Sequence, residues 1–182
     1  RSAHVNEVNA VSVGPAGSLV SAGKDGTVAV WDQAAANPRF VLLDGPVAPG
    51  AKTGSFGAVD AAASPDGRLV ASVHAEGPAR IWDATTGRLL RRLTADTGSG
   101  VAVAFHPNGV QVATGGLGGV LRVWNADTGA EVVALRQPAD VRTVMFSPDG
   151  RTMLTACRNG SVTLWRTAGW SSTTTLSDAT GL

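Results

Sequence analysis

Few residues in this sequence have the types and spacing that chemistry requires. The three histidines, His4, His74 and His106, stand far apart and follow no metal-ligand interval. The one cysteine, Cys157, can form neither an internal disulfide nor a thiolate cage, and no base stands near it in sequence to activate the thiol. The stretch Gly45 to Thr53 (GPVAPGAKT) approaches a phosphate-cradling loop. Ala51 separates its second glycine from Lys52, however, and no helical pattern follows to aim amide groups at a phosphate. The glycine run Gly115 to Gly119 falls at a hairpin and not between a strand and a helix, so it is read as a turn and not as a dinucleotide cradle. No Gly-x-Ser-x-Gly elbow occurs, and no pair of acids has a readable catalytic logic. The expectation is a chain without catalytic residues, metal or cofactor.

Composition agrees with a folded, uncharged-on-balance protein. Of 182 residues, 43% are apolar and 16% charged, with a formal net charge of +1. Such a chain buries about 70% of its unfolded surface and needs no disulfide staples. A protein that holds a phosphate backbone carries a basic excess, so nucleic acid is not an expected partner. No apolar run approaches the roughly 20 residues of a membrane helix, so no membrane partner is expected either. One cysteine suits a reducing compartment, and the expected location is cytoplasmic.

The elements that position the side chains come from a repeat. VNAVSVGPAGSLVSAGKDGTVAVWD, AVDAAASPDGRLVASVHAEGPARIWD, GVAVAFHPNGVQVATGGLGGVLRVWN and VRTVMFSPDGRTMLTACRNGSVTLWR share one pattern. Their tryptophans, Trp31, Trp82, Trp124 and Trp165, are 51, 42 and 41 residues apart. The turn glycines Gly17, Gly67, Gly109 and Gly150 precede them by 14, 15, 15 and 15 residues. Short alternating runs between these landmarks read as strands. Pro-Asp-Gly and Pro-Asn-Gly, as at Pro65–Gly67 and Pro107–Gly109, mark tight reversals. Each unit is therefore expected to be four antiparallel strands, over about 4–43, 57–93, 98–135 and 139–176, with residues 44–56 forming a long Pro- and Gly-rich loop between the first two.

A repeat of 40-odd residues, four strands per unit and Trp-Asp closing the third strand resemble the WD-repeat (tryptophan-aspartate) family. Trp31-Asp32 and Trp82-Asp83 match that pair, while Trp124-Asn125 and Trp165-Arg166 depart from it. The resemblance implies an all-β fold: a β-propeller segment of four blades, each of four antiparallel strands, in an open and incomplete ring. It also implies a buried His, Ser/Thr, Asp and Trp tetrad in each blade. Blade one matches fully with His4, Ser21, Asp25 and Trp31. Blade two offers Ser72, Glu76 and Trp82, blade three Thr114 and Trp124, and blade four Thr155, Asn159 and Trp165. No histidine stands at the equivalent place in the last three.

The family's binding face maps onto Glu7, Asn9 and Lys24 in blade one and Asp140, Arg142 and Arg158 in blade four. Between them it maps onto Gly57, Val59 and Ala75, and onto Ser99, Val101 and Leu117. The resemblance implies a non-catalytic scaffold or sensor that binds a protein or peptide. The alternative is part of an enzymatic propeller, a hydrolase or quinone-dependent oxidoreductase, whose active site lies in blades not present. Both ends fall in the same phase of the repeat, so the chain reads as a segment of a longer array. Its open faces are then expected to meet further blades or a second copy.

Overall fold

The computed structural model describes residues 3–32, 37–42, 57–94 and 99–176; the loop 44–56, including Gly45 to Thr53, and the chain-end stretches 1–2 and 177–182 lie outside them. The described residues form four separate sheets, each of four antiparallel strands in sequence order. Blade one holds β1 (Val8–Val13), β2 (Leu19–Gly23), β3 (Val28–Trp31) and β4 (Phe40–Leu42). Blade two holds β5 (Ala58–Ala63), β6 (Leu69–His74), β7 (Ala79–Asp83) and β8 (Leu89–Leu93). Blade three holds β9 (Gly100–Phe105), β10 (Gln111–Gly116), β11 (Val120–Asn125) and β12 (Glu131–Arg136). Blade four holds β13 (Val141–Phe146), β14 (Thr152–Cys157), β15 (Val162–Arg166) and β16 (Ser171–Leu176). The expected all-β propeller architecture is thus found, with the ring not closed.

The turns explain the sheets. In blade two, Leu69 N–H donates to Ser64 Oγ, while Ser64 Oγ–H and Arg68 N–H both donate to Asp66 Oδ1. Gly67 sits at φ +72°, where a side chain would be strained. Ser147, Asp149 and Arg151 repeat this arrangement in blade four. Blade three substitutes His106, whose Nδ1 accepts from Asn108 N–H at 3.0 Å, which leaves Nε2–H to donate to Gly150 O at 2.8 Å. Blade one lacks the aspartate, and its turn is a short 3-10 segment, Pro15–Gly17, with Ala16 at φ 54°.

Blades stack by their faces. The inner strands lie in order, β1 against β5, β5 against β9 and β9 against β13. Each interface has one recipe: the tryptophan of the later blade is buried in one cluster with apolar side chains of the earlier one. Trp82 shares its cluster with Val20, Val30 and Leu42, Trp124 with Ala71, Ile81 and Leu93, and Trp165 with Ala113, Leu121 and Val123. Trp82 is 1% exposed, and burying a side chain of that size is worth several kcal/mol, on the order of 25 cal/mol per Å² of apolar area. Trp31 has no earlier blade among the described residues to pack on and is only half-buried. Trp170, unremarked in the sequence, adopts φ +50° and joins the third cluster.

Candidate binding face

One end of all four sheets is built alike. Each inner strand carries a bulge one residue after its start, at Asn9, Val59, Val101 and Arg142. A bulge leaves its residue out of the ladder and re-aims the side chain. Beside each bulge the residue that follows the second strand donates its backbone N–H to the residue before or at the inner strand's start. These bonds are Lys24 to Glu7 at 2.8 Å, Ala75 to Gly57 at 2.9 Å, Leu117 to Ser99 at 3.1 Å and Arg158 to Asp140 at 2.9 Å. The residues mapped from sequence therefore fall into four equivalent triads at one end of the molecule.

Their side chains differ between blades. Lys24 Nζ donates to Glu7 Oε2 at 2.9 Å across an exposed pair. Arg158 Nη1 lies 3.9 Å from Asp140 Oδ2, whose other oxygen accepts from Gly118 N–H at 2.9 Å. Arg142 is exposed, and Asn9 Nδ2 donates to Ala58 O at 2.7 Å, tying blade one to blade two. The middle triads are small or apolar, with Leu117 46% exposed at a second short 3-10 turn, Leu117–Gly119. Charged flanks thus border an uncharged centre.

Beneath this face lie the tetrad residues. In blade one, Trp31 Nε1–H donates to Ser21 Oγ at 2.9 Å, and Ser21 lies 2.6 Å from His4 Nε2. His4 Nδ1 meets Thr27 Oγ1 at 2.6 Å, and Thr27 Oγ1–H donates to Asp25 Oδ1. Because Thr27 spends its proton on the carboxylate, His4 must donate from Nδ1, so Ser21 Oγ–H donates to Nε2. His4 and Asp25 are themselves 3.7 Å apart, so Thr27 links them; sequence reasoning missed it. Burial alone would raise the Asp25 pKa, but hydrogen bonds from Thr27 and from Val5 N–H outweigh it and hold the carboxyl below its ordinary value.

The other blades keep the indole–hydroxyl bond and change the rest. Trp82 donates to Ser72 at 2.9 Å, Trp124 to Thr114 at 2.8 Å and Trp165 to Thr155 at 3.0 Å. Glu76 is exposed and takes no visible part in the blade-two network, which instead uses His74: its Nε2 lies 3.0 Å from Ser72 Oγ. His74 occupies the strand position held by Gly23 in blade one, a signal the search for a histidine before β5 could not find. In blade four the place of His4 is taken by buried Gln137, whose Oε1 accepts from Thr163 Oγ1 at 3.3 Å and Cys157 Sγ at 3.5 Å. Asn159 accepts from Ser161 Oγ–H at 2.8 Å, as Asp25 does from Thr27. In blade three a cavity of about 240 Å³ opens beside Thr114, Gly116 and Trp124; the residue at the His4 place, Asp96, lies outside the described residues. No group of three or more metal-type ligands gathers among the described residues, and no helix among them is long and apolar enough to cross a membrane.

Four four-stranded sheets, each pinned by an indole bonded to a hydroxyl, define a WD-type propeller segment. The sequence profile of the WD domain, G-beta repeat family matches residues 1–32, 87–125 and 131–166, more than half of the chain, and the chain belongs to that family. It is 27% identical over 172 residues to Periodic tryptophan protein 2 homolog of Dictyostelium discoideum, across 92% of this chain and 18% of that protein. It is 32% identical over 103 residues to Telomerase protein component 1 of Rattus norvegicus, across 56% of this chain and 4% of that protein. The chain therefore spans less than a fifth of the length of these relatives. Membership supports a protein-interaction module in general terms.

Proposed function

We propose that the chain is a non-catalytic scaffold or sensor module that recognises a protein or peptide through the face bearing Glu7, Asn9, Lys24, Asp140, Arg142 and Arg158. The reading rests on one observation: the four bulges and their flanking backbone bonds present equivalent triads at the same end of every blade. A partner with an apolar centre and charged ends complements the small middle triads and the charged outer ones. The blade limits 4–43, 57–93, 98–135 and 139–176 belong to the same reading, as does a reducing, cytoplasmic setting for the buried thiol of Cys157.

The test is capture of partners on the immobilised chain, with identification by mass spectrometry. Arg142→Glu together with Arg158→Glu should lower recovery of the principal partner by about tenfold or more, equivalent to roughly 1.4 kcal/mol. Arg68→Glu with Arg151→Glu, at the opposite ends of the blades, should leave recovery unchanged. Equal recovery by all three proteins would remove the two arginines from the site.

A further inference from the structure

At the end of the blades away from the proposed face, the three internal blade junctions differ in how they are filled. Between blades three and four His106 crosses the gap: its Nε2–H donates to Gly150 O at 2.8 Å, and Thr167 Oγ1–H donates to the same oxygen at 2.7 Å. A Cβ at Gly150 would lie 2.6 Å from the imidazole, so the ring fills the space against that turn. Between blades one and two Pro15 does so, 3.0 Å from a Cβ built at Gly67. Between blades two and three no described side chain does. The nearest atom to a Cβ at Gly109 is Pro65 Cδ, at 4.0 Å. A cleft of about 300 Å³ remains there.

Two substitutions open the cleft. Ser64 stands at the repeat position of His106, and its short hydroxyl donates within its own turn, to Asp66 Oδ1. Ala126 stands at the position of Thr167 and offers no hydroxyl. Gly109 O, the counterpart of Gly150 O, therefore lacks both donors and accepts no hydrogen bond from a described residue. Around it, Pro65 and Leu69 of blade two and Pro107 and Val110 of blade three make apolar walls. The charged groups are Asp66, Arg68 and Asp127, two carboxylates against one guanidinium. Arg68 Nη1 lies 3.9 Å from Asp66 Oδ2, so these two offset each other. Asp127 is exposed; its main-chain oxygen accepts from Arg91 Nη2 at 3.1 Å, and its carboxylate accepts from no described residue. The cleft thus offers a guest one carbonyl, one uncompensated carboxylate and apolar walls.

We propose that this cleft takes an arginine side chain of a partner peptide. The guanidinium enters from another chain where His106 enters from its own, and it donates to Gly109 O as the imidazole donates to Gly150 O. Its remaining N–H groups serve the Asp127 carboxylate. Its flat face and aliphatic stem lie along the proline and valine walls. A lysine brings the charge without the planar fork, and a neutral side chain leaves Asp127 uncompensated. The site lies between two blades that both have neighbours in the chain. It does not use the face of the function proposed above, so either reading can fail alone.

Titration of the isotopically labelled chain with a blocked Gly-Arg-Gly peptide, followed by amide NMR shifts, tests the proposal. The amides of Gly109, Ala126 and Asp127 should move and saturate with a dissociation constant on the order of 1 mM, as one charge-assisted contact permits. Gly-Lys-Gly should bind about threefold or more weakly, and the peptide with neutral citrulline in place of arginine about tenfold or more. Ser64→His should close the cleft as His106 closes its own and lower affinity for the arginine peptide about tenfold or more. Asp127→Asn changes an exposed side chain, should lower it by about as much, and carries the test if Ser64→His does not fold. Arg142→Glu with Arg158→Glu should titrate as the wild type does. No saturable shift at these amides up to about 20 mM, equal affinity for the citrulline peptide, or wild-type affinity in Asp127→Asn would overturn it.

Discussion

His74 Nε2 lies 3.0 Å from Ser72 Oγ two residues back on the same strand, so blade two carries its imidazole on the sheet, where blade one brings His4 in from the chain before β1. The two solutions exclude one another sterically. A Cβ at Gly23, the blade-one counterpart of His74, would lie 2.5 Å from His4 Nδ1 and 2.6 Å from Asp25 Oδ1. A blade can therefore hold a histidine from the loop over a glycine, or a histidine from the strand, but not both.

That exclusion predicts a coupling. Gly23→Ala should destabilise the chain by about 1–3 kcal/mol, the usual cost of crowding a packed site. His4→Ala should cost a similar amount by leaving Ser21 and Thr27 with unmade bonds. In the double variant the methyl group enters the space vacated by the ring, so the combined loss should fall short of the sum by roughly 0.5–3 kcal/mol. Urea unfolding of the four proteins checks this; strict additivity would mean that the two groups do not compete.

Two carboxylates should answer pH in opposite senses. Asp25 has a native pKa below its ordinary value of 3.8, so its stabilising contribution is present above that value and is lost as pH falls through the native pKa. Asp60, on the inner strand of blade two, has its pKa raised by burial, which outweighs the hydrogen bonds it accepts from Val103 N–H and Ala61 N–H at 2.9 Å. Its native form holds the proton more tightly than the unfolded one, so stability falls as pH rises from 3.8 through the native value. Asp60→Asn keeps an acceptor for Val103 and removes the buried charge. Its melting temperature relative to wild type should rise between acid and neutral pH, whereas that of Asp25→Asn should fall. Parallel melts at several pH values decide the signs.

How much of this was legible beforehand depended on whether a feature repeats. The strands, the turn glycines and the four tryptophans recur with fixed spacing, and the four-sheet fold follows from them. The hydroxyl partner of each indole recurs too, at Ser21, Ser72, Thr114 and Thr155. The third members did not, because each blade solves the same spatial problem from a different chain position: His4 from a loop, His74 from a strand, Gln137 as an amide. Thr27 was invisible for another reason: its role exists only because His4 and Asp25 are 3.7 Å apart, a distance no spacing encodes. His106 aligns in the repeat with Ser64 and Ser147, but its bond to Gly150 O and its edge-on contact with the Phe146 ring, 5.0 Å between centroids, join two blades and required coordinates.

The tryptophans should not be equivalent energetically. Trp82→Ala removes a ring that is 1% exposed and should cost about 3–5 kcal/mol. Trp31→Ala removes a ring that is only half-buried among the described residues and should cost clearly less. Unfolding free energies of the two variants establish the order. Equal losses would mean that the indole–hydroxyl bond, common to both, and not interblade packing, sets the cost.

The amide in blade four offers the most direct check on the exclusion between loop and strand side chains. Gln137 stands where His4 stands, Cys157 stands where Gly23 stands, and the Gln137 Nε2 group is buried without a partner among the described residues. Gln137→His alone should destabilise by about 1–3 kcal/mol, because the Cys157 side chain occupies the space the ring needs. Adding Cys157→Gly recreates the blade-one pairing: the imidazole can then reach Thr155, as His4 reaches Ser21, and the unpartnered amide is gone. The glycine itself costs about 0.5–1 kcal/mol in a strand. The double variant should therefore recover most of the loss of Gln137→His and unfold within about 1 kcal/mol of wild type. Equilibrium urea unfolding reads both steps. Recovery shows that blade geometry accepts either solution, and a double variant weaker than Gln137→His would show that Cys157 is required for more than filling space.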